Sequence, residues 1–354
     1  MSSWRCYNGV MSGRVALGLF ALLLAAPIPA QEKRAVENPL GVLDFIPWDH
    51  DWNRHHYPKE KVAQAAALLK EAGAGWVRMD FLWNDLEPAR GRFEFERYDA
   101  MVEALARNGF SVLGILCYNA GWSNPKWNAA PDRAGFVAYA QATVRHFKDR
   151  VKRWEVWNEP DVPQYWDPQD GMKSYAALLK ETAAAIRKED PAGRVVMGGL
   201  AQPAGDALDR LYREAGKDAF DVVSIHPFID PLRADPARAL REVVDKVRKT
   251  MEANGDGAKE IWITEIGCPG MKDPRAAGAW WLGRNPTEEE QARWAKTVLT
   301  EPLAWPNVKK VFWAFFRDTP QHFHSGVDSF GLVRGDFSKK PSFDAFREAA
   351  ALKR

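Results

Sequence analysis

The sequence has few cysteines, little net charge and no apolar run long enough for a membrane span. Its three cysteines cannot build a disulfide framework. Lys and Arg (49) nearly balance Asp and Glu (47), and the net charge of +2 gives no field that would attract nucleic acid. We therefore expect a globular protein without a nucleic-acid partner.

The N-terminus has the features of an export signal. Arg5 and Arg14 precede an apolar run at 15–26, which is shorter than the ~20 residues of a bilayer span. A small residue, Ala30, ends the following segment. We expect a signal peptide at 1–30, an exported protein without a membrane span, and one catalytic domain at 31–354. Cys117 and Cys268 remain in that domain, and whether they pair is left open.

The sequence is rich in tryptophan, with 16 residues of this type. Indole rings are large and apolar, so they either fill a bulky core or stack on flat ligands. This composition does not decide between the two uses.

Strand-like and helix-like segments alternate along the chain after the signal peptide. We expect strands at 41–46, 75–80, 111–116, 153–157, 194–198, 221–225, 260–264 and 308–313. We expect helices at 58–72, 96–108, 134–148, 172–189, 206–215, 236–253, 287–300 and 341–352. Eight such units predict an α/β fold, a single-domain (β/α)8 TIM barrel. A doubly wound sheet is the alternative, but residues 47–52 lack its glycine-rich phosphate turn.

Two glutamates stand where predicted strands end. Glu159 follows the fourth strand and Glu265 follows the seventh. A TIM barrel gathers the carboxyl ends of its strands at the face that carries the active site. A buried carboxylate is costly unless it is paired or used, so each could be a structural ion-pair partner. Together they fit glycoside cleavage, which needs one protonated and one ionised carboxyl group.

The residues around these glutamates resemble clan A glycoside hydrolases. The motifs are Trp-Asn-Glu-Pro at 157–160 and Ile-Thr-Glu-Ile-Gly at 263–267. Within the clan the chain resembles family 39, with family 5 as the next choice. The resemblance implies a retaining β-glycosidase that needs no cofactor, with Glu159 as acid/base and Glu265 as nucleophile.

The resemblance also assigns residues that contact substrate. Asn158 would bind the 2-hydroxyl of the sugar, Arg78 would keep the nucleophile ionised, and His226 matches the histidine of the sixth strand. Arg78 could instead pair with Asp80 or Glu87, and His226 could be a core histidine. Phe228 stands where the clan often has tyrosine, so a hydroxyl near the nucleophile is either missing or supplied by another loop.

Tryptophans are expected to bind the carbohydrate substrate. Trp313 on the last strand matches the aromatic floor of the cleavage subsite in the family. Other tryptophans fall in loops that follow strands, where they stack on sugars or pack under the loops: Trp48, Trp122, Trp127, Trp166, Trp280 and Trp281. We expect a monomer that binds an oligo- or polysaccharide.

Three other functions are alternatives. A metal enzyme would use His50, His55 and His56 or the pair His322 and His324, but neither group has a known metal-ligand spacing. A barrel aldolase would need a lysine near the carboxyl end of a strand, whereas Lys152, Lys309 and Lys310 lie at strand starts. A carbohydrate-binding barrel that has lost catalysis is the third alternative.

Overall fold

The described strands form a closed parallel barrel. The protein was analysed as a computed structural model, which describes residues 38–44, 61–201, 203–274, 283–319 and 326–353. Eight strands pair in chain order, and β1 closes the barrel against β8. They are β1 Leu40–Leu43, β2 Trp76–Leu82, β3 Ser111–Cys117, β4 Arg153–Asn158, β5 Arg194–Gly199, β6 Val222–Ile225, β7 Glu260–Ile266 and β8 Val308–Ala314. The predicted TIM barrel is confirmed.

Helices follow the strands in the order that the sequence predicts. They are α1 Val62–Ala72, α2 Trp83–Leu86, α3 Glu96–Arg107, α4 Arg133–Phe147, α5 Lys173–Glu189, α6 Ala204–Ala215, α7 Pro236–Ala253, α8 Glu288–Thr300 and α9 Pro341–Ala351. The short helix α2 was not predicted. Thr287 and Glu290 form a reciprocal capping box at the start of α8. Because this motif has a fixed spacing of residue types, the start of α8 can be predicted from the sequence.

The amino-terminal half of the barrel interior is filled by aromatic rings. Trp76 packs edge-on against Trp262 and Phe312, with ring centroids 5.5 and 6.3 Å away. Gly41 leaves the space for this layer, because a Cβ atom there would lie 2.3 Å from the Phe312 ring. The Lys310 ammonium lies 4.1 Å from the Trp76 ring centroid. This lysine therefore lies at the end of the barrel opposite to the strand carboxyl ends.

Polar side chains replace this aromatic layer further along the same strands. Arg78, Glu155, Ser224 and Thr264 are fully buried in the barrel interior. Because side chains alternate between the two faces of a strand, Arg78 follows Trp76 and Thr264 follows Trp262 into the interior. The sequence thus builds an apolar base and a polar layer under the carboxyl ends of the strands.

The structure bears on the predictions about membrane spans and cysteine pairing, but not on the predicted signal peptide. The signal peptide at 1–30 lies outside the described residues and stays a prediction, as does the domain boundary at 31. Within the described part, no helix combines the length and apolar character needed to cross a bilayer. Cys117 and Cys268 are both buried and unpaired, which answers the question of their pairing.

Candidate active site

A cavity of about 520 Å³ opens at the carboxyl ends of the strands. Its walls combine carboxyl groups with aromatic rings, as is usual for a pocket that orients a ligand with a few polar groups. The described residues that line it are Leu43, Arg78, Asp80, Leu82, Trp83, Asn84, Cys117, Tyr118, Asn119, Gly121, Asn124, Pro125, Trp127, Asn158, Glu159, Gln164, Tyr165, Glu265 and Phe315. Both predicted strand-end glutamates are among them.

Glu159 and Glu265 face each other across this cavity. Carboxylate oxygens of the two residues lie within 4.8 Å of each other. Glu159 is 9% exposed and Glu265 is 8% exposed, so both groups are largely removed from solvent. Two like charges at this distance in a dry site cannot both be stable. The two carboxyls therefore need different partners.

The backbone at the end of β4 adopts an unusual conformation. Trp157 has φ = 67° and Glu159 has φ = 44°, in the left-handed region that non-glycine residues rarely occupy. The Trp157 indole nitrogen donates a hydrogen bond to the Tyr165 carbonyl (2.8 Å), and its ring packs 4.9 Å from the Trp166 ring. These contacts hold the strained turn that ends β4 at Glu159. Such strain is typical of functional sites.

Arg78 is the partner of Glu265. Its Nη1 donates to Glu265 Oε1 (2.5 Å), its Nε to Glu155 Oε2 (2.7 Å) and its Nη2 to Asn158 Oδ1 (3.0 Å). Burial alone would lower the pKa of Arg78, but the carboxylates of Glu155 and Glu265 outweigh it and raise this pKa. The guanidinium stays charged and stabilises the carboxylate form of Glu265. The alternative pairing of Arg78 with Glu87 is wrong, since Glu87 accepts from the Trp83 indole.

Replacing Arg78 with methionine is expected to lower the free energy of unfolding by about 3–5 kcal/mol. The change leaves Glu155 buried without a charged partner, which is the costly way to break a buried ion pair. Urea unfolding followed by tryptophan fluorescence measures it. Arg194→Met is the matched control, because its half-exposed pair with Glu260 (3.1 Å) is worth about 1 kcal/mol or less. Equal losses in both variants would contradict this account of Arg78.

His226 is the partner of Glu159. Its Nδ1 lies 2.8 Å from Glu159 Oε1 and its Nε2 lies 2.9 Å from Thr264 Oγ1. Burial lowers the pKa of His226, so the ring is neutral. Gly199 allows the histidine to pack against β5, since a Cβ atom there would lie 2.0 Å from Nε2. Burial also raises the pKa of Glu159 to about 7, although Arg78 opposes the shift. Of the two facing glutamates, Glu159 is thus the one whose raised pKa keeps it protonated below about pH 7.

Asp80 is a third carboxyl group in the cavity. Burial raises its pKa to about 7, Arg78 opposes this shift, and the nearby Glu265 and Glu155 add to it. The sequence analysis named Asp80 only as a pairing alternative for Arg78. Asp80 makes a hydrogen bond with the Cys117 side chain, so this carboxyl group already has a partner in the cavity wall.

One group of described side chains has the spacing of a metal site, and it is formed by Glu159, His226 and Glu265. A cation between them would compete with the Arg78 guanidinium, which already donates to Glu265. The donor set therefore fits a pair of reacting carboxyls better than a metal centre. The histidines considered as metal ligands in the sequence, at 50, 55, 56, 322 and 324, lie outside the described residues.

Trp313 does not lie where the family resemblance placed it. Trp313 is not the floor of the cavity, because it is fully buried and donates to the Phe330 carbonyl (2.9 Å). Its neighbour Phe312 faces the barrel interior, so alternation directs Trp313 outward to the helices. Phe315 lines the cavity instead.

Trp122 also lies outside the described cavity lining. Its indole donates to the Glu87 carbonyl (2.5 Å) and its ring stacks with the Arg90 guanidinium. Trp127 does line the cavity, and it is 46% exposed. Three predicted ligand-binding tryptophans, Trp48, Trp280 and Trp281, lie outside the described residues, and their role stays a prediction.

Sequence reasoning missed Glu155. It lies inside β4 and is fully buried, and a charged residue in an otherwise apolar strand is the signal that could have found it.

Phe228 provides no hydroxyl where the clan often has tyrosine. Phe228 packs 6.1 Å from the Phe330 ring, while the phenols of Tyr118 and Tyr165 line the cavity from other loops.

Solved structures share this fold and arrangement of strands. A family 39 glycoside hydrolase from Bacteroides cellulosilyticus WH2 superposes with a TM-score of 0.69 and 25% identity, over 89% of this chain and 64% of that one. A monomeric beta-xylosidase from Caulobacter crescentus CB15 gives a TM-score of 0.69 and 19% identity, over 90% of this chain and 69% of that one. The resemblance to family 39 is confirmed.

Curated relatives match only segments of the chain. Beta-galactosidase Bga of Halorubrum lacusprofundi is 37% identical over 20% of this chain, and Beta-glucosidase 47 of Arabidopsis thaliana is 29% identical over 30% of it. The matches span 10% and 21% of the length of these relatives.

Two family models match the sequence. The model described as beta-galactosidase matches residues 51–135. The model described as glycosyl hydrolase catalytic core matches residues 127–331, more than half of the chain and the part that carries both glutamates. The chain therefore belongs to the glycosyl hydrolase catalytic core family.

Proposed function

We propose that the protein is a retaining glycoside hydrolase that cleaves β-linked sugars, with Glu159 as acid/base and Glu265 as nucleophile. The observation that carries this proposal is the close approach of the two carboxyls, one oxygen of Glu159 lying within 4.8 Å of one oxygen of Glu265. Retaining enzymes hold their carboxyl groups about 5–5.5 Å apart, whereas inverting enzymes need about 6.5–9.5 Å to admit a water molecule.

The partners of the two carboxyls suit these roles. In the first step, Glu159 gives its proton to the glycosidic oxygen while Glu265 attacks the anomeric carbon, and the alcohol leaves. In the second step, the Glu159 carboxylate takes a proton from water, which attacks the same carbon and releases Glu265. Each step inverts the anomeric carbon, so the product keeps the β configuration. Arg78 holds Glu265 in place for both steps.

Other residues of the cavity orient the sugar. Asn158 accepts from Arg78 through its Oδ1, which turns its amide N–H groups away from the guanidinium and towards a hydroxyl of the bound sugar. The rings of Trp127 and Phe315 offer apolar faces for stacking. We infer a carbohydrate substrate, an oligo- or polysaccharide, and no cofactor in the reaction. We further propose that the protein is exported and monomeric.

A carbohydrate-binding barrel without catalysis is less well supported. Such a protein would not need a protonated and an ionised carboxyl group side by side. Here burial raises the pKa of Glu159 to about 7 while Arg78 donates to Glu265. This difference between two adjacent acids is a requirement of catalysis and gives nothing to simple sugar binding.

Product stereochemistry tests the proposed function. The full-length protein is incubated with 4-nitrophenyl β-xyloside, β-glucoside and β-galactoside, chosen because the relatives include enzymes named for these sugars. Proton NMR during the first minutes should show the β-anomer of the released sugar before mutarotation. The matched α-glycosides serve as controls. Early appearance of the α-anomer, or cleavage of α-glycosides alone, would disprove retention at a β-linkage.

The pH dependence of kcat/KM should have a basic limb near pH 7. Glu159 acts in its protonated form, and its pKa of about 7 means that this form is lost as the pH rises through that value. Above the limb, kcat/KM should fall about tenfold per pH unit. Steady-state rates between pH 4 and 10 measure it. A basic limb that persists unchanged in Glu159→Ala would show that another group is the acid.

A further inference from the structure

The two catalytic carboxyls are also connected beneath the cavity by a chain of hydrogen bonds. From Glu265 the chain passes through Arg78 to Glu155. The Ser224 hydroxyl lies 3.0 Å from Glu155 Oε1 and 2.5 Å from Thr264 Oγ1. Thr264 contacts His226 Nε2, and His226 Nδ1 contacts Glu159. We call the segment from Glu155 to His226, with the two hydroxyls between them, the relay.

The direction of each hydrogen bond in the relay follows from Glu155. Its carboxylate, paired with Arg78, has no proton to donate. Oε1 accepts from the Gly199 amide (2.9 Å) and from the Ser224 hydroxyl, and the Thr264 hydroxyl lies 3.5 Å away. Both hydroxyl protons are therefore directed towards Glu155, either directly or from Thr264 through Ser224. The Thr264 oxygen is left as an acceptor facing His226.

This direction determines which nitrogen of His226 carries its proton. Nε2 lies 2.9 Å from the accepting Thr264 oxygen and donates to it. The ring is neutral because burial lowers the pKa of His226. Nδ1 therefore presents a lone pair, 2.8 Å from Glu159 Oε1. The proton in that hydrogen bond must come from the carboxyl group of Glu159.

We propose that the relay fixes the tautomer of His226 and thereby holds Glu159 protonated before the first step of the proposed reaction, in which this proton leaves its hydrogen bond to Nδ1 and is transferred to the glycosidic oxygen. Glu155 and Thr264 are positioning residues in this account, since neither needs to touch the substrate. No proton moves along the relay. The inference rests on the proposed function for the role of Glu159, but not for the tautomer itself.

The surrounding charges do not provide an alternative proton for this contact. The titratable groups that face Glu159 and His226 are Arg78 on β2, Glu155 on β4, Asp161 and Tyr165 in the loop after β4, and Glu265 on β7. Arg78 already donates to Glu155, Asn158 and Glu265. Glu265 Oε1 lies 3.8 Å from His226 Nδ1, beyond hydrogen-bond distance.

The test is Thr264→Val, which removes the accepting oxygen and keeps the shape of the side chain. His226 is then free to place its proton on Nδ1 and donate to an ionised Glu159. The basic limb of kcat/KM should move down by about one pH unit, because a hydrogen bond to the charged form of a carboxyl lowers its pKa. Thr182→Val is the matched control: Thr182 is fully buried on α5, and its hydroxyl makes no hydrogen bond among the described residues. Its pH profile should equal that of the unmodified protein.

A second measurement is independent of catalysis. Nitrogen-15 NMR of histidine-labelled protein distinguishes the two tautomers, and His226→Gln assigns the signal. We expect Nε2–H in the unmodified protein and in Thr182→Val, and a shift towards Nδ1–H in Thr264→Val. Nδ1–H in the unmodified protein, or a basic limb that Thr264→Val leaves in place, would overturn the proposal. If the unmodified protein cleaves no glycoside, the proposed function fails, while the NMR result and a carbon-13 titration of Glu159 still decide the relay.

Discussion

Glu265→Ala is expected to lower kcat on a β-glycoside by on the order of 10⁵, because the variant has no group that can form the glycosyl intermediate. Alanine also leaves a space beside Arg78 that a small anion can enter. Sodium azide should restore part of the turnover. The azide attacks once, from the side that Glu265 occupied, so the product should be the α-glycosyl azide. Thin-layer chromatography and proton NMR of the product measure this outcome.

The control for this experiment is Glu265→Gln. Its side chain fills the same volume, so azide cannot reach the anomeric carbon and should not restore turnover. Azide rescue of Glu265→Ala that gives the β-glycosyl azide would mean that Glu265 is the acid/base and Glu159 the nucleophile. Activity of Glu265→Ala close to that of the unmodified protein would remove Glu265 from the mechanism.

The sequence allowed both glutamates to be placed because a TIM barrel imposes a strong rule. Residues at the carboxyl ends of its strands share one face, whatever their separation in sequence. Glu159 and Glu265 are far apart in the chain, yet each directly follows or ends an apolar strand segment. Arg78, near the end of β2, joins them for the same reason. Strand ends and chain order were sufficient to place the two glutamates, whereas the assignment of Arg78 to the site came from the family resemblance.

The same alternation explains why Trp313 was misplaced. The side to which a strand residue points depends on the register of β8 against its neighbours, and Trp313 pairs with Val42 of β1 and Ile266 of β7. The β7–β8 pairing contains register shifts at residues 261–262 and 263–266. Such irregularities cannot be read from the strand sequence alone. The family resemblance placed Trp313 in the cavity, whereas the structure places Phe315 there.

Glu155 was missed for a different reason. Its contacts come from four strands, with Arg78 on β2, Gly199 on β5, Ser224 on β6 and Thr264 on β7. The identity of such partners follows only from closing the barrel, and no local pattern around Glu155 contains it. A buried charge acquires its meaning from tertiary contacts, which is why the polar layer became visible only in the structure.

Glu159→Ala should lower kcat/KM strongly, and the size of this loss should depend on the leaving group of the substrate. For alkyl β-glycosides or natural oligosaccharides, kcat/KM should fall by about 10²–10⁴, since the departing oxygen no longer receives a proton. For 2,4-dinitrophenyl β-glycosides the loss in kcat/KM should be small, because this leaving group departs without protonation. Steady-state kinetics with both substrate types measure the difference, and Asp161→Ala, which removes a neighbouring carboxyl in the same loop, is the control.

The two variants together separate an acid from a nucleophile by stereochemistry. In Glu159→Ala, Glu265 still forms the glycosyl intermediate, and azide then attacks from the side that Glu159 vacated. Two inversions return the β configuration, so Glu159→Ala should give the β-glycosyl azide where Glu265→Ala gives the α-anomer. Equal losses of kcat/KM for good and poor leaving groups in Glu159→Ala would contradict its role as acid. In that case the contacts of His226 with Glu159 and of Arg78 with Glu265 would not determine which carboxyl group acts as the acid.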